Sequence, residues 1–482
     1  MMTLQWRDFQ FLFISIPILA ISLLFPSQLT GLAVAALFAL YTIVSPKNGL
    51  LLLLLYFPTR PFLIELNPSL KIVGDLIILA AFARVVFANR RNLRSLFKFH
   101  IFEWAFFLFC LVGAVSAYIT GVSLTAIIFQ LRAFLITYLV FYVVKRLEIT
   151  KKDVFTFLWT TFIMAITLSL HGLVEKLSIR TLLMPEKWVL RSLSHNNRVR
   201  IYGLIDNPNV LAVYLSLAFI CTIYLKNFVK GKMNWLLNTG LVLMLGVITL
   251  TYSRGTWIAF VIGLIVYIMM TRNWNIIKKI AFGIITAIIF INLPVTSTAS
   301  YIATTDFGNV DRTYVPGEPG EQSDEVNRLK ETFEMSTIEL SKTTGRLFIV
   351  LKGFEIFKDH PIIGTGFATY GDSAAKGFSS PIYEEYGIGY NIYSDNQYIQ
   401  IIVQTGIVGV LLFATFLLGM LLFIWNKRND SPVAIALIPI LLAIFVSGVL
   451  YNIWEDKTFT TYFFLLLAAV AKGVQLKRTN SI

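Results

Sequence analysis

Apolar stretches of about 20 residues recur along this chain, and about 20 such residues are what a helix needs to cross a hydrocarbon core. The chain is 482 residues long, with only 14% charged residues and 56% hydrophobic ones. A soluble domain of this size carries about 25% charged residues, so most of this chain cannot face water. No separate soluble domain larger than about a hundred residues fits in what remains. Candidate spans fall at 9–25, 29–45, 49–65, 71–88, 102–120, 124–144, 154–174, 208–225, 234–252, 255–271, 277–293, 397–424, 432–450 and 457–472. The expected fold is an all-α polytopic integral membrane protein of about 14 transmembrane helices, within a range of about 12–14. The third span is interrupted by Pro58-Thr59-Arg60-Pro61. A broken helix is tolerated in a membrane only where protein or a cavity covers the freed backbone.

Orientation follows from the short connections. Arg90, Arg91, Arg94 and Lys98 form one basic link, and Lys145, Arg146, Lys151 and Lys152 another. Lys226, Lys230 and Lys232 form a third, followed by Arg272 with Lys278 and Lys279, then Lys427 with Arg428, then Lys472, Lys477 and Arg478. With fourteen spans all of these fall on one side, which predicts a multi-pass membrane protein with both termini cytoplasmic. The formal charge of +14 is read as this loop bias beside anionic lipid, with no nucleic acid partner. Arg7 and the run Phe9 to Phe25 resemble a signal peptide only briefly, since Pro26-Ser27-Gln28 offers no small-x-small cleavage site. The run is expected to be a retained span. Cys110 and Cys221 both lie in apolar runs, so neither a disulfide framework nor a metal site is expected.

Two connections depart from the short links. Residues 175–207 and 294–396 are both extracytoplasmic by this count. The chain therefore divides into a transmembrane region 1–293 of about 11 helices, a large loop 294–396, and a C-terminal region 397–482 of about 3 helices. The large loop holds fifteen of the twenty-seven Asp and Glu residues against eight Lys and Arg. Loops beyond about 15 residues in a compact protein are usually functional or disordered. Glu325 to Leu340 is a polar, helix-favouring run, and Arg346 to Phe357 has apolar residues at helical spacing. Residues 311–324, with Pro316, Gly317, Pro319 and Gly320, read as a flexible stretch. No internal repeat is evident, so an inverted-repeat transporter is not supported.

The 175–207 connection carries Lys176, Arg180, Lys187, Arg191, Arg198 and Arg200 against Glu175, Glu186 and Asp206. Cations retained outside, against the positive-inside bias, suggest an anionic ligand at the outer face. Asp206 or Asn207 as N-cap, with Pro208 at the first helical position, sets a positive helix end beside Arg200, a fair phosphate site. The plainer reading is a cap with headgroup-binding arginines. Thr251-Tyr252-Ser253-Arg254-Gly255 joins two spans with almost no linker, so Arg254 is either a placed cation or an interfacial snorkelling residue. Arg132 lies within the sixth span, where a functional role and a buried structural pair are comparable readings. His360 precedes a Pro and a Gly turn and could be a base, although a lone His is more often structural. Asp395 and Asn396 stand before the twelfth span and could cap it, which is compatible with a catalytic carboxylate. No HExxH, Walker A, GxSxG or paired-Cys motif is present.

Taken in order, Arg200-Ile-Tyr-Gly203 with Asn207-Pro208-Asn209, Ser253-Arg254-Gly255, Arg346 to Gly366, and Asp395-Asn396-Gln397-Tyr398 resemble the O-antigen ligase and Wzy-type polymerase superfamily of bacterial envelope polysaccharide synthesis. The resemblance covers roughly residues 195–425. It implies a membrane glycosyltransferase acting on polyprenyl-diphosphate-linked glycan donor and acceptor, inverting, with neither metal nor other cofactor. It further implies that Arg200, Arg254 and Arg346 bind the lipid diphosphate and that a base in the loop, Asp395 or His360, takes the acceptor proton. Membrane lipid, a flippase and a chain-length regulator would be its partners. In the ligases the residue before this Asn is commonly a His serving as base, and here it is Asp395, a change that favours a polymerase, most like a teichuronic acid or exopolysaccharide polymerase. Glu384, Glu385 and His360 are next in line as the base. A ligase joining finished glycan to another acceptor is the nearest alternative. A lipid-glycan flippase or transporter, the alternative of another class, would string ionisable residues through its spans, whereas Asp75, Arg84, Glu103 and Arg132 are few.

Overall fold

The computed structural model describes residues 9–193, 195–305 and 345–473, which are helical with no β-strand among them. The expected helix at Glu325 to Leu340 and the stretch 311–324 lie outside the described residues, as do Arg7, Lys477 and Arg478. The long helices, in chain order, are α1 (Gln10–Leu24), α2 (Gln28–Val44), α3 (Pro46–Leu66), α4 (Val73–Ala88), α5 (Ile101–Ile119) and α6 (Leu124–Arg146). They continue with α7 (Lys151–Leu177), α8 (Pro208–Leu225), α9 (Lys232–Leu250), α10 (Arg254–Thr271) and α11 (Asn275–Ala303). The last four are α12 (Arg346–Asp359), α13 (Gln397–Asn426), α14 (Pro432–Ser447) and α15 (Lys457–Ala471).

Among the described residues nine helices are long and apolar enough to cross a membrane: α3, α5 to α11 and α13. The expected fourteen differ from these nine by α1, α2, α4, α14 and α15, which span 15 to 17 residues. At 1.5 Å per residue such helices reach about 22–26 Å, at or just below the shortest lengths that cross a hydrocarbon core. The eleventh expected span also runs further, to Ala303, through a π-helical turn at Ile288–Asn292. The Pro58 and Pro61 interruption stays inside continuous helix α3.

Helix starts follow side-chain chemistry. Thr150 and Asp153 form a reciprocal capping box at α7, and Ser27 with Thr30 does so at α2. Asn207 caps α8 through Asn209 N (2.9 Å) and Val210 N (3.2 Å), with Pro208 first in the helix.

The described residues form two compact units, one of 9–85 with 142–305 and one of 86–141 with 345–473. The second is organised by a break in α13. Gly406 there has φ +58 and ψ −162, so the helical ladder stops on both sides of it. The interrupted groups are taken up by the chain after α12. Thr365 N donates to Val403 O (3.0 Å) and Gly366 N to Gln404 O (2.7 Å), while Ile407 N donates to Pro361 O (2.8 Å) and Val408 N to Ile362 O (3.1 Å). The same turn is pinned to α5, where Phe367 N donates to Gly113 O (2.9 Å) and Ser116 Oγ to Gly364 O (2.6 Å). Beneath residues 370–392, Tyr370, Tyr383 and Tyr386 join Ile349, Ile356, Ile399 and Val403 in one buried cluster.

A Cβ on Gly406 would lie 2.4 Å from the carbonyl oxygen of Ile362, in a backbone conformation that L residues rarely adopt. Gly406→Ala is therefore expected to destabilise the protein by about 2–4 kcal/mol through left-handed strain plus overpacking. Gly377→Ala, where a Cβ meets nothing within 4 Å, is expected to be neutral. Thermal unfolding of the two variants in detergent, followed by size exclusion, checks the difference.

Candidate functional site

In the first unit the 175–207 connection is a folded structure with its own charge balance. Arg180 pairs with Glu175 (2.5 Å) with both side chains buried. Arg191 makes a bidentate pair with Asp206 (2.8 and 2.7 Å), and Lys187 reaches Glu65 on α3 (2.9 Å). Three of the six cations are thus matched to carboxylates inside the unit, so the cationic segment needs less ligand than the sequence suggested. Glu175 also accepts the N–H groups of Tyr202 (3.0 Å) and Gly203 (2.6 Å), and this fixes the chain just after Arg200.

Arg200 is half-buried and docks on the α9–α10 turn. Its Nε donates to Thr251 O (2.8 Å), and one terminal nitrogen donates to Asn209 Oδ1 (2.5 Å). Ser253 Oγ donates to that same oxygen (3.0 Å), and Ile201 N donates to Leu250 O (3.2 Å). Lys176 donates to Val199 O, and its ammonium lies 5.8 Å from the centre of the Tyr252 ring. Arg254 is exposed at the first position of α10, three residues from the carbonyl that Arg200 grips. The structure therefore ties the Arg200 segment, the 207–209 cap and the 253–255 turn into one cluster. Cations at a helix N-terminus are suited to a phosphorylated ligand.

In the second unit Asn396, not Asp395, caps α13, accepting from Tyr398 N and Ile399 N (both 3.1 Å). Asp395 keeps its side chain out of the cap and sits at φ +46. Its Oδ2 is 3.8 Å from Arg346, the first residue of α12, with both side chains about half exposed. Burial pushes the Asp395 carboxyl above the ordinary carboxylate range, against the opposing pull of Arg346 and Lys376. The Lys376 ammonium stands 5.5 Å from the centre of the Tyr393 ring. A half-exposed carboxylate with raised basicity is what a general base requires.

His360 does not join this group. It ends α12, donating its backbone N–H to Ile356 O (3.1 Å). Fourteen residues of helix separate it from Arg346, about 20 Å. Glu384 and Glu385 are exposed, and the adjacent Tyr386 donates to Asp359 (2.9 Å), at the His360 end of α12. Arg132 is half-buried on α6, and it is Gln130 that reaches inward from that helix, to Glu455 (2.8 Å).

Residues 239–414 match the family model described as O-antigen ligase (Wzy_C). The chain carries an O-antigen ligase domain of the Wzy-type superfamily. It is a membrane protein of ligase or polymerase type, built on multiple apolar helices. The O-antigen ligase segment includes Arg254, Arg346, His360 and Asp395 and leaves Arg200 and Asn209 outside it. No curated protein matches the chain.

Sequence reading missed a buried polar layer in the second unit. Asp372 accepts from Ala368 N (2.7 Å), Ala375 N (2.6 Å) and Gln404 (2.6 Å). Glu455 accepts from Gln130, Gln400 and Ser373. Burial, and for Glu455 the nearby Asp372 charge, push both carboxyls upward. The available signal was Gln397, Gln400 and Gln404, at helical spacing on a span whose other residues are mostly apolar.

Removing Glu175 leaves the Arg180 guanidinium buried without its carboxylate, a loss of about 3–5 kcal/mol for such pairs. Glu175→Ala should therefore sharply reduce folded protein, and Glu175→Ala with Arg180→Leu should recover part of it, since the N–H groups of Tyr202 and Gly203 still lack their acceptor. Unfolding temperatures of the single and double variants in detergent check this.

Proposed function

We propose that the protein is a membrane glycosyltransferase that polymerises polyprenyl-diphosphate-linked oligosaccharide repeat units into a cell-surface polysaccharide. The observation that carries this reading is the docking of Arg200 on the turn that presents Arg254, with Asn209 bridging the two segments. The two guanidinium groups take the donor diphosphate, which is the leaving group. Asp395 takes the proton of an acceptor hydroxyl as that oxygen attacks the anomeric carbon. The anomeric C–O bond to the diphosphate breaks, its electron pair leaves with the diphosphate, and the arginines stabilise the charge that develops there. In-line displacement inverts the anomeric centre. Arg346, beside Asp395, serves a phosphate of the lipid-linked substrate.

The setting that fits this chemistry is a bacterial cytoplasmic membrane, with both termini inside and residues 175–207 and 294–396 outside, where a flippase and a chain-length regulator would act beside it. Cysteine labelling of those two segments in intact cells tests the orientation. A second reading, a ligase that transfers finished glycan to a different acceptor, draws support from the description of the matched family. Purified protein supplied with a single lipid-linked repeat unit separates the two: a ladder of multiples supports polymerisation, and no product without a second acceptor supports ligation.

Arg200→Gln and Arg254→Gln should each lower the transfer rate by about 10²–10³, the usual effect of losing one stabiliser of transition-state charge. Folded protein should remain in the membrane, and normal rates in both variants would refute the diphosphate role. Asp395→Asn should cost about 10²–10⁴, the range for a general base. The pH dependence has a defined sign. Asp395 works when deprotonated, so activity should fall as pH drops through a value above the ordinary 3.9 or so of an aspartate. Arg346 opposes that rise, and Arg346→Gln should move the acid limb of kcat/KM to still higher pH. A limb that stays or moves down would remove Asp395 as the titrating base.

A further inference from the structure

The corner between α14 and α15, residues 452–456, lies beyond the matched segment 239–414. It nevertheless holds the chain on both sides of Asp395. Before Asp395, Asn452 Oδ1 accepts from Ser394 Oγ (2.9 Å), and Asn452 Nδ2 donates to Gly371 O (2.8 Å), the same carbonyl that receives Ser394 N (2.9 Å). After it, Trp454 N donates to Gln397 Oε1 (3.0 Å), and Gln397 N donates to Gly448 O (2.8 Å). Glu455 completes the frame. One carboxylate oxygen accepts from Ser373 Oγ (2.8 Å) and N (3.2 Å), and the other accepts from Gln130 (2.8 Å) and from Gln400. Asn452, Glu455, Ser394, Gln397, Gln400 and Gln130 are all buried.

Asp395 itself needs such a frame. A non-glycine residue at φ +46 costs about 1–2 kcal/mol and persists only where its surroundings over-determine it. Its immediate partner, Arg346, is 3.8 Å away and half exposed, too loose to fix a backbone conformation. Four donors converge on Glu455, which suits an acceptor-only carboxylate and would set the amide hydrogens of a glutamine against other donors.

We infer that Asn452 and Glu455 are positioning residues that hold the Asp395 carboxylate in its reactive conformation. Asn452 bonds the Asp395 loop directly at Ser394, and Glu455 reaches it through Gln400, whose Oε1 accepts from Gln397 (2.9 Å). The inference rests on the reading of Asp395 as base. Misplacing a reacting group by about 1 Å can cost about 10²-fold, so the effect should appear in the chemical step and not in donor binding.

The test compares Asn452→Ala, Glu455→Gln, Asp395→Asn and the double variant Asp395→Asn with Glu455→Gln. Rates are measured in detergent with purified polyprenyl-diphosphate repeat unit, using excess enzyme in single turnover so that slow variants remain readable. Asn452→Ala and Glu455→Gln should lower kcat by about 10- to 100-fold and leave donor KM within about twofold. In the Asp395→Asn background, Glu455→Gln should cost no more than about a further twofold, since residues acting as a unit are not additive. Unchanged kcat in the folded single variants, or losses that multiply in the double variant, would overturn the inference while leaving Asp395 as base. Should Glu455→Gln fail to fold, Asn452→Ala alone and combined with Asp395→Asn gives the same comparison. Full activity of Asp395→Asn by itself would instead remove the base reading, and this inference with it.

Discussion

Backbone groups placed where water cannot reach must find partners inside the protein, and the break in α13 makes that demand at one point. Gly406 interrupts the ladder nine residues after the helix begins, and only a second stretch of backbone can close both sides of the gap. Residues 361–366 do so with four hydrogen bonds. Much of the second unit follows from that insertion. α12 must lie along the first turns of α13, and the absence of a side chain at Gly353 lets it approach Ile399 and Val403. A rigid helix of fourteen residues then carries its first residue, Arg346, back toward the head of α13, where Asp395 stands. The pairing of Arg346 with Asp395 is thus a consequence of helix length and of where the break lies.

The first unit depends on a different kind of order, in which carboxylates and neutral oxygens each hold cations in place. Arg180 and Arg191 face carboxylates, which hold the 175–207 chain in shape and neutralise charge as they do so. Arg200 is aimed by Thr251 O, Asn197 Oδ1 and Asn209 Oδ1, all neutral acceptors. Those bonds fix the guanidinium plane. A planar cation held in one orientation loses little conformational freedom on meeting a phosphate, which is how a fixed arginine gains over a flexible lysine.

Much of this was legible in the chain, and the reasons for the exceptions are physical. Helix positions followed from apolar length, and the α8 start from Asn207-Pro208, because caps and apolar runs are local properties. The gathering of Arg200 with the 253–255 turn was suggested by motif order, yet the bridging oxygen of Asn209 depends on an approach no local pattern encodes. Arg180, Arg191 and Lys187 looked like ligand-seeking cations because their carboxylate partners lie 5 to more than 100 residues away in sequence. Asp395 was the first candidate base in the long loop and His360 a fallback. Only the folded length of α12 separates them. The short helices blurred the span count for a further reason: composition marks a segment as apolar without stating whether it is long enough to cross.

Glu455 and Asn452 were invisible for the most instructive reason. Each looks like part of an ordinary connection between two apolar helices, and Asn452 and Asp456 could have been dismissed as cap residues, a role Asp456 does fill at α15. What sets Glu455 apart is burial with four donors around it, a property of the assembled unit. A buried carboxylate that is fully hydrogen-bonded is costly to assemble and costly to disturb, so its presence narrows the conformations open to everything bonded to it. Here the bonded neighbours are Ser373 and the glutamine face of α13, on either side of the Asp395 loop in the chain. The strained backbone at Asp395 can be tolerated because that layer cannot rearrange without exposing several buried donors at once.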